Sequence, residues 1–192
     1  MTTSSRRRRT SAQEPPEAGA SAVDPEPDPE SFARSIALRQ LTGAPRSRHQ
    51  LAEALARRGV EDAVAGRVLD RFTEVGLIDD AAYAEMLVRS RRESRSLARR
   101  ALAVELRRKG ISVEDAEPAL ATVDDAAEEA SARELLRRRW RSGPDADPRV
   151  QTRRAIAMLG RKGYPPGLSS RLVREMVDDR GSEPWDPAVT DD

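Results

Sequence analysis

The sequence predicts an all-α protein, a tandem array of three three-helix repeats, elongated or curved, with disordered termini. Three observations predict it. A leucine–basic–glycine pattern recurs three times at nearly constant spacing. Ala, Leu and Arg, all good helix formers, dominate the composition. No β-branched alternating segment is long enough for a strand.

The repeat is carried by Leu51-Ala-Glu-Ala-Leu55-Ala-Arg-Arg-Gly59, Leu102-Ala-Val-Glu-Leu106-Arg-Arg-Lys-Gly110 and Ala155-Ile-Ala-Met-Leu159-Gly-Arg-Lys-Gly163. The glycines stand 51 and 53 residues apart. Each follows two basic residues and precedes an apolar one (Val60, Ile111, Tyr164). Ten positions on come Leu69, Leu120 and Val173, and thirteen on come Phe72, Val123 and Met176. Agreement at so many equivalent positions marks a true repeat. Within a unit, the apolar residues eight and four before the glycine share one helical face. The glycine supplies the left-handed C′ residue that ends the helix. The bases before it suit the negative end of the helix dipole. A third helix then presents positions +10 and +13 to the same core.

A first helix precedes each pair, roughly at 32–41, 80–94 and 125–141. Ser47 with Gln50, Asp125 with Glu128 and Ser112 with Asp115 have capping-box spacing. Asp147-Pro148 reads as an N-cap followed by proline at N1. Pro45 and Ser142-Gly143-Pro144 fall between helices as breakers. The units are therefore expected at 31–78, 79–123 and 124–180. A unit of about 50 residues buries little surface alone, and stacked neighbours supply the missing contacts.

The chain holds 34 Lys+Arg against 33 Asp+Glu, and the near balance hides a segregation. Residues 1–30 carry Arg6 to Arg9 and six acids, while 181–192 carry four acids and no base. That leaves 30 bases and 23 acids in 31–180, a net charge of +7. Residues 1–30 have almost nothing to bury and are expected to be disordered, with Glu26-Pro27-Asp28-Pro29 extended. The segment from Gly181 on, with Pro184, Trp185 and Pro187, reads as an acidic C-terminal tail, with Trp185 a candidate anchor to the body at no position the sequence specifies.

Composition excludes several chemistries. There is no Cys, so there is no disulfide framework or thiol nucleophile. The lone His49, in the first turn of a helix, has no evident partner for a metal site, and neither metal nor cofactor is expected. The longest strictly apolar run is five residues, Ala155 to Leu159, far short of the ~18 that span a bilayer. The Arg6–Arg9 cluster has no apolar run behind it, so no secretory signal is read, and a cytoplasmic location is expected. No phosphate-binding glycine loop is present. The pairs Asp79-Asp80, Asp124-Asp125 and Glu128-Glu129 lie at helix starts, where carboxylates cap backbone N–H groups. No activity as an enzyme is expected.

The densest charge lies between Tyr83 and Lys109: Arg89, Arg91, Arg92, Arg95, Arg99, Arg100, Arg107, Arg108 and Lys109, against Glu85, Glu93 and Glu105. Arg99, Arg100, Arg107 and Arg108 belong to one helix, on one flank, because eight residues rotate by about 80° net. A break at Ser94 or Ser96 separates them from Arg92 and Arg95. The third repeat repeats the type with Arg137 to Arg139 and Arg141, Arg153-Arg154 and Arg161-Lys162. Guanidinium groups suit phosphate and carboxylate partners alike. A solvated charged face reads the same residues equally well. With 3% aromatic residues, base-stacking platforms are not expected.

The stretch Gly76-Leu-Ile-Asp79-Asp80-Ala-Ala-Tyr83-Ala84-Glu85-Met-Leu-Val-Arg89-Ser90-Arg91 closely resembles the signature of the bacterial RecX regulators of the RecA recombinase. Leu102-x3-Leu106-Arg-Arg-Lys-Gly110-Ile111 is similar to the next helix of that family. The resemblance covers about 32–180 and is looser in the third repeat. Where the family often has a glycine-rich link after Arg-Ser-Arg, this chain has Arg92-Glu93-Ser94-Arg95-Ser96, which puts the local path there in question. Nothing carries over to the N-terminal tail. The resemblance implies an all-helical monomer that lies in the groove of RecA filaments on single-stranded DNA. There it would suppress ATP hydrolysis and strand exchange, in DNA repair and SOS control. On this reading Arg89, Arg91, Arg92, Arg95, Arg99, Arg100, Arg107, Arg108 and Lys109, with Arg153, Arg154, Arg161 and Lys162, face RecA or DNA. Gly76, Asp79, Asp80, Tyr83 and Gly110 would be structural, with Tyr83 in the core. Two other readings stand beside it: a helix-turn-helix-like DNA-binding module with non-specific phosphate contacts, and a helical adaptor without a nucleic-acid link.

Overall fold

The computed structural model describes residues 28–140 and 147–181. Among them are nine α-helices and no strand. The first unit comprises α1 (Pro29–Gly43), α2 (Arg48–Ala56) and α3 (Asp62–Glu74). The second comprises α4 (Asp80–Arg95), α5 (Arg99–Arg108) and α6 (Val113–Ala121). The third comprises α7 (Asp125–Arg139), α8 (Pro148–Lys162) and α9 (Pro166–Gly181).

Each unit builds a core from the repeat positions, and the third core also takes in Ala98 of the second unit. Leu51, Leu55, Leu69 and Phe72 pack with Ile36 and Ile78. Leu102, Leu106, Leu120 and Val123 pack with Tyr83 and Leu87. Ala155, Leu159 and Val173 pack with Leu136 and Tyr164, and Met176 is partly buried against them. The helix-ending glycines take φ of +75°, +74° and +92° at Gly59, Gly110 and Gly163. The N–H of the following residue donates back to the carbonyl five positions earlier: Val60 to Leu55, Ile111 to Leu106 and Tyr164 to Leu159, each at 3.2 Å. With the glycine N–H bonded to the carbonyl three back, this is the full Schellman geometry in all three units. Gly76, at φ +72°, closes α3 in the same way.

Most predicted caps are present. Ser47 and Gln50 form a reciprocal capping box, Ser112 accepts from the Asp115 N–H, and Asp147 caps α8 with Pro148 at N1. Two readings need correction. Asp28, Pro29 and Glu30 are not extended tail: Asp28 caps α1 through the Ser31 N–H at 3.2 Å, and Pro29 fits N1, where its missing N–H costs nothing. The N-cap of α7 is Asp124 rather than Asp125, which frees Glu128 for a contact described below. At the questioned link, α4 runs through Ser94, whose hydroxyl donates to the Ser90 carbonyl, and ends at Ser96 with φ +49°. Residues 1–27, Arg141, Ser142-Gly143-Pro144 and Trp185 lie outside the described residues.

The units are joined end to end through their second helices. The Lys109 carbonyl at the end of α5 accepts the hydroxyl of Ser47, the N-cap of α2. The Lys162 carbonyl at the end of α8 accepts the N–H of Ala98, the N-cap of α5, at 3.0 Å. Glycine is needed at both junctions for space as well as for φ. A β-carbon on Gly110 would overlap the His49 side chain, and one on Gly163 would stand 2.7 Å from the Ala101 β-carbon and 2.8 Å from its backbone nitrogen. A β-carbon on Gly59, at the end of α2, has nothing within 4 Å.

Candidate surface for an anionic partner

The junctions decide which charges are available outside them. The N-terminal end of each joined helix is capped by a carboxylate from the next unit. Asp80, one residue into α4, accepts from the Arg48 N–H at 2.8 Å. Glu128 of α7, 8% exposed, accepts from the Arg99 N–H at 2.7 Å and so serves the Ala98 cap, which has no side-chain acceptor of its own. Burial raises the pKa of Asp80, partly opposed by its backbone hydrogen bond to Arg48. Asp79 caps α4 through the Ala82 N–H at 2.8 Å. Tyr83 is buried in the second core, and burial raises its pKa. The Tyr164 hydroxyl donates to the Ser96 carbonyl and accepts from the Ser131 hydroxyl, both at 3.0 Å, and locks the α4–α5 link to the third unit.

Several of the bases named from the sequence take part in such internal contacts. Arg91 pairs with Glu105 at 2.6 Å, both half-buried. Arg99 pairs with Glu117 at 3.0 Å. Arg92 reaches the Ala127 carbonyl at 3.5 Å. Lys162 donates to the Arg95 carbonyl, again across the junction. Lys109 is half-buried at the other junction. In the third unit, Arg133 and Arg171 form a closed square with Glu129 and Glu175, with separations of 2.6 to 3.2 Å. Hydrogen bonds from Arg171, then from Arg133, hold the Glu129 carboxyl at a pKa of about 2.

The remainder are exposed: Arg89, Arg95, Arg100, Arg107, Arg108, Arg153, Arg154 and Arg161. None has an ion-pair partner within 4 Å among the described residues. Four of them occupy equivalent places. Counted back from the glycine, position −10 is His49, Arg100 and Arg153, and position −2 is Arg57, Arg108 and Arg161. Position −6, one turn from both, is Glu53, Val104 and Ala157. In the first unit Glu53 sits 3.4 Å from His49 and 3.9 Å from Arg57, so it neutralises its row. In the second and third units an exposed apolar residue takes that place, and two arginines flank it without an acid. The Lys162–Ala98 hydrogen bond joins the two helices that carry these rows end to end.

Chemically, this surface offers repeated guanidinium forks at a fixed spacing, suited to phosphates or carboxylates. Among the described residues no group of three or more His, Asp or Glu could hold a metal ion. No described helix is long and apolar enough to cross a membrane. The sequence reading named the arginines but missed the row. The signal was in the column at −6, where Glu53 gives way to Val104 and Ala157.

Models of the three RecX domains match in chain order: the first three-helix domain at 33–72, the second at 79–120 and the third at 127–173. The chain belongs to the RecX family. It is 50% identical over 151 residues to the regulatory protein RecX of Thermobifida fusca (strain YX), covering 79% of this chain and 82% of that one. It is 46% identical over 160 residues to the regulatory protein RecX of Streptomyces coelicolor, covering 83% and 85%. The crystal structure of RecX from Lactobacillus salivarius matches with a TM-score of 0.65 and 21% identity, over 78% of this chain and 97% of that one, a likeness of fold. The relatives are named regulatory proteins, and this family member has the tandem three-domain organisation expected from its repeats.

Proposed function

We propose that the chain is a negative regulator of the RecA recombinase. It binds in the groove of RecA filaments on single-stranded DNA and inhibits ATP hydrolysis and strand exchange, acting in the cytoplasm as a monomer without catalysis of its own. The observation that carries this reading is the unneutralised arginine row repeated on α5 and α8. A partner that meets equivalent side chains on successive units must itself be extended and regularly anionic, and a protein–DNA filament is both. Arg89, Arg100, Arg107, Arg108, Arg153 and Arg161 face that partner, whereas Arg91, Arg92, Arg99 and Lys162 shape the surface from within. Inhibition follows if the array binds one filament state better than the states that turnover and strand exchange pass through.

The test is RecA-dependent ATP hydrolysis on single-stranded DNA with and without the protein, together with the variant Arg100→Glu/Arg108→Glu/Arg153→Glu/Arg161→Glu. The expected result is inhibition by the wild type and its loss in the variant, with unchanged helical content. Binding to the filament that leaves both RecA activities untouched would sink the reading. The exposed guanidinium groups also favour a second reading, direct phosphate contact. Steeply salt-dependent binding to naked DNA, with no preference for RecA-coated DNA, would select it.

A further inference from the structure

The third unit is longer than the others at one end. Its second and third helices have 15 and 16 residues, against 9 and 13 in the first unit and 10 and 9 in the second. The added turns, at the N-terminal end of α8 and the C-terminal end of α9, form an open groove of about 640 Å³. Ile156, Ala157 and Val177 make its apolar floor, and Arg149 and Arg153 stand on its rim with no ion-pair partner among the described residues. In the first two units the N-terminal end of the second helix meets the unit that follows, through Asp80 on the Arg48 N–H and Glu128 on the Arg99 N–H. An outermost repeat normally turns a polar face to solvent, and this one presents Ile156 37% exposed.

We propose that the acidic segment 182–192 folds back into this groove, with Trp185 on the apolar floor and its carboxylates against Arg149 and Arg153. Three features of the molecule select this occupant. The first is precedent within the chain. The segment leaving α3 returns to the N-terminal end of α2 through Asp80, and the segment leaving α6 returns to that of α5 through Glu128. The segment leaving α9 has the same layout, with Glu183 and Asp186 soon after the helix. The second is charge. The segment carries four acids and no base, and because Asp147 already caps α8, those acids are left for the arginine side chains. The third is reach. Four helical residues separate Val177 from Gly181, a rise of about 6 Å. The four residues from Gly181 to Trp185 span up to about 13 Å when extended, enough to return. Trp185 is also the one aromatic residue in the parts of the chain outside the described residues.

Docking there covers Arg153 and Ala157, the first half of the third unit's arginine row, so the segment acts as a tethered competitor for whatever anion that row binds. The contact itself does not depend on which partner the row takes. It is tested in the full chain carrying Trp140→Phe, which leaves Trp185 as the only indole. The expected result is Trp185 emission shifted to the blue and shielded from acrylamide. Arg149→Glu/Arg153→Glu should raise quenching several-fold, and Glu183→Lys/Asp186→Lys added to that pair should restore the shielding. A second readout leaves Trp140 in place: the Ile156 δ-methyl NMR signal should move on Trp185→Ala. Quenching as fast as in a free peptide, unaffected by charge reversal, with Ile156 unmoved, overturns the proposal. Shielding that depends on protein concentration also overturns it, because the occupant is then a second copy.

Discussion

Replacing the three helix-ending glycines by alanine one at a time measures how tightly the units are joined. All three residues have positive φ, so each substitution forces alanine into the left-handed region, at about 1–2 kcal/mol. Alanine also narrows the unfolded ensemble, which offsets about 0.4–1 kcal/mol of that. Gly59→Ala meets open space, so its net cost should be about 1 kcal/mol. Gly163→Ala bears the same backbone cost and drives a β-carbon to 2.8 Å from the Ala101 nitrogen. A backbone atom inside a helix cannot rotate away, so the junction must open or shift, adding about 1–3 kcal/mol as in overpacked cores. Gly110→Ala should fall with it, because the overlap is with the rigid β-carbon of His49 as well as its ring. Urea unfolding of the three variants gives the order, and hydrogen exchange locates the damage. For Gly163→Ala, protection should fall first in α8 and at the Ala98 amide. In a quasi-one-dimensional array the transition should also lose cooperativity. Equal costs at all three positions, with exchange unchanged at Ala98, would refute the end-to-end joining of the second helices.

Three further outcomes are expected. Tyr83→Ala should destabilise by about 3 kcal/mol through the cavity it leaves in the second core, and a melt without loss would place the ring on the surface. Glu129, with a folded-state pKa of about 2 against an ordinary 4.5, contributes stability that is complete above its ordinary value and is lost as pH falls through about 2. Glu129→Gln should therefore lower the Tm near neutrality and flatten the acid limb between those limits. A limb of unchanged slope would argue that Arg133 and Arg171 do not hold the carboxylate in solution. Ser96→Gly should raise stability by about 0.5–1 kcal/mol, because glycine relieves the left-handed strain at φ +49° while the Ser96 carbonyl still accepts from Tyr164. A lower urea midpoint would mean that the serine side chain itself holds the link.

Much of the fold was legible because the repeat prints its own core. The residues at −8, −4, +10 and +13 are apolar for a packing reason that acts within about 20 residues, and their periodicity survives in the sequence. Glycine after two bases is equally local, since positive φ and a helix C-terminus have strong residue preferences. Contacts between units were not legible. Glu128 has the spacing of a capping-box partner to Asp125, yet its carboxylate lies on the Arg99 N–H of another unit. Nothing local distinguishes the two, because the residue types are the same and only the junction geometry chooses. The arginine surface was half legible for the same reason. Residue type names a base, but whether a glutamate 18 positions away pairs with Arg99, and none pairs with Arg100, follows from how α6 lies against α5.

The junctions also explain how the body, with 30 bases against 23 acids in 31–180, keeps a basic row free of acids. Where the second helices meet, the partially negative C-terminal carbonyls of one accept from the partially positive N-terminal end of another. The bases on the last turn bring extra positive charge to that contact. Asp80 and Glu128 are placed there, and each accepts a backbone N–H at the meeting point. Glu105, Glu117, Glu129 and Glu175 are taken up by Arg91, Arg99, Arg133 and Arg171. These acids are thus committed to holding units together or helices within a unit. The positions one turn from Arg100, Arg108, Arg153 and Arg161 receive Val104 and Ala157 instead. The balance in the sum comes from the ten acids in 1–30 and 181–192, and the excess at the surface comes from the body, whose acids lie where the structure needs them and leave the bases at −10 and −2 over. Moving a single acid tests the logic: Val104→Glu recreates the first unit's pattern in the second. It should weaken binding to an anionic partner about as much as losing one arginine, while leaving the buried core untouched.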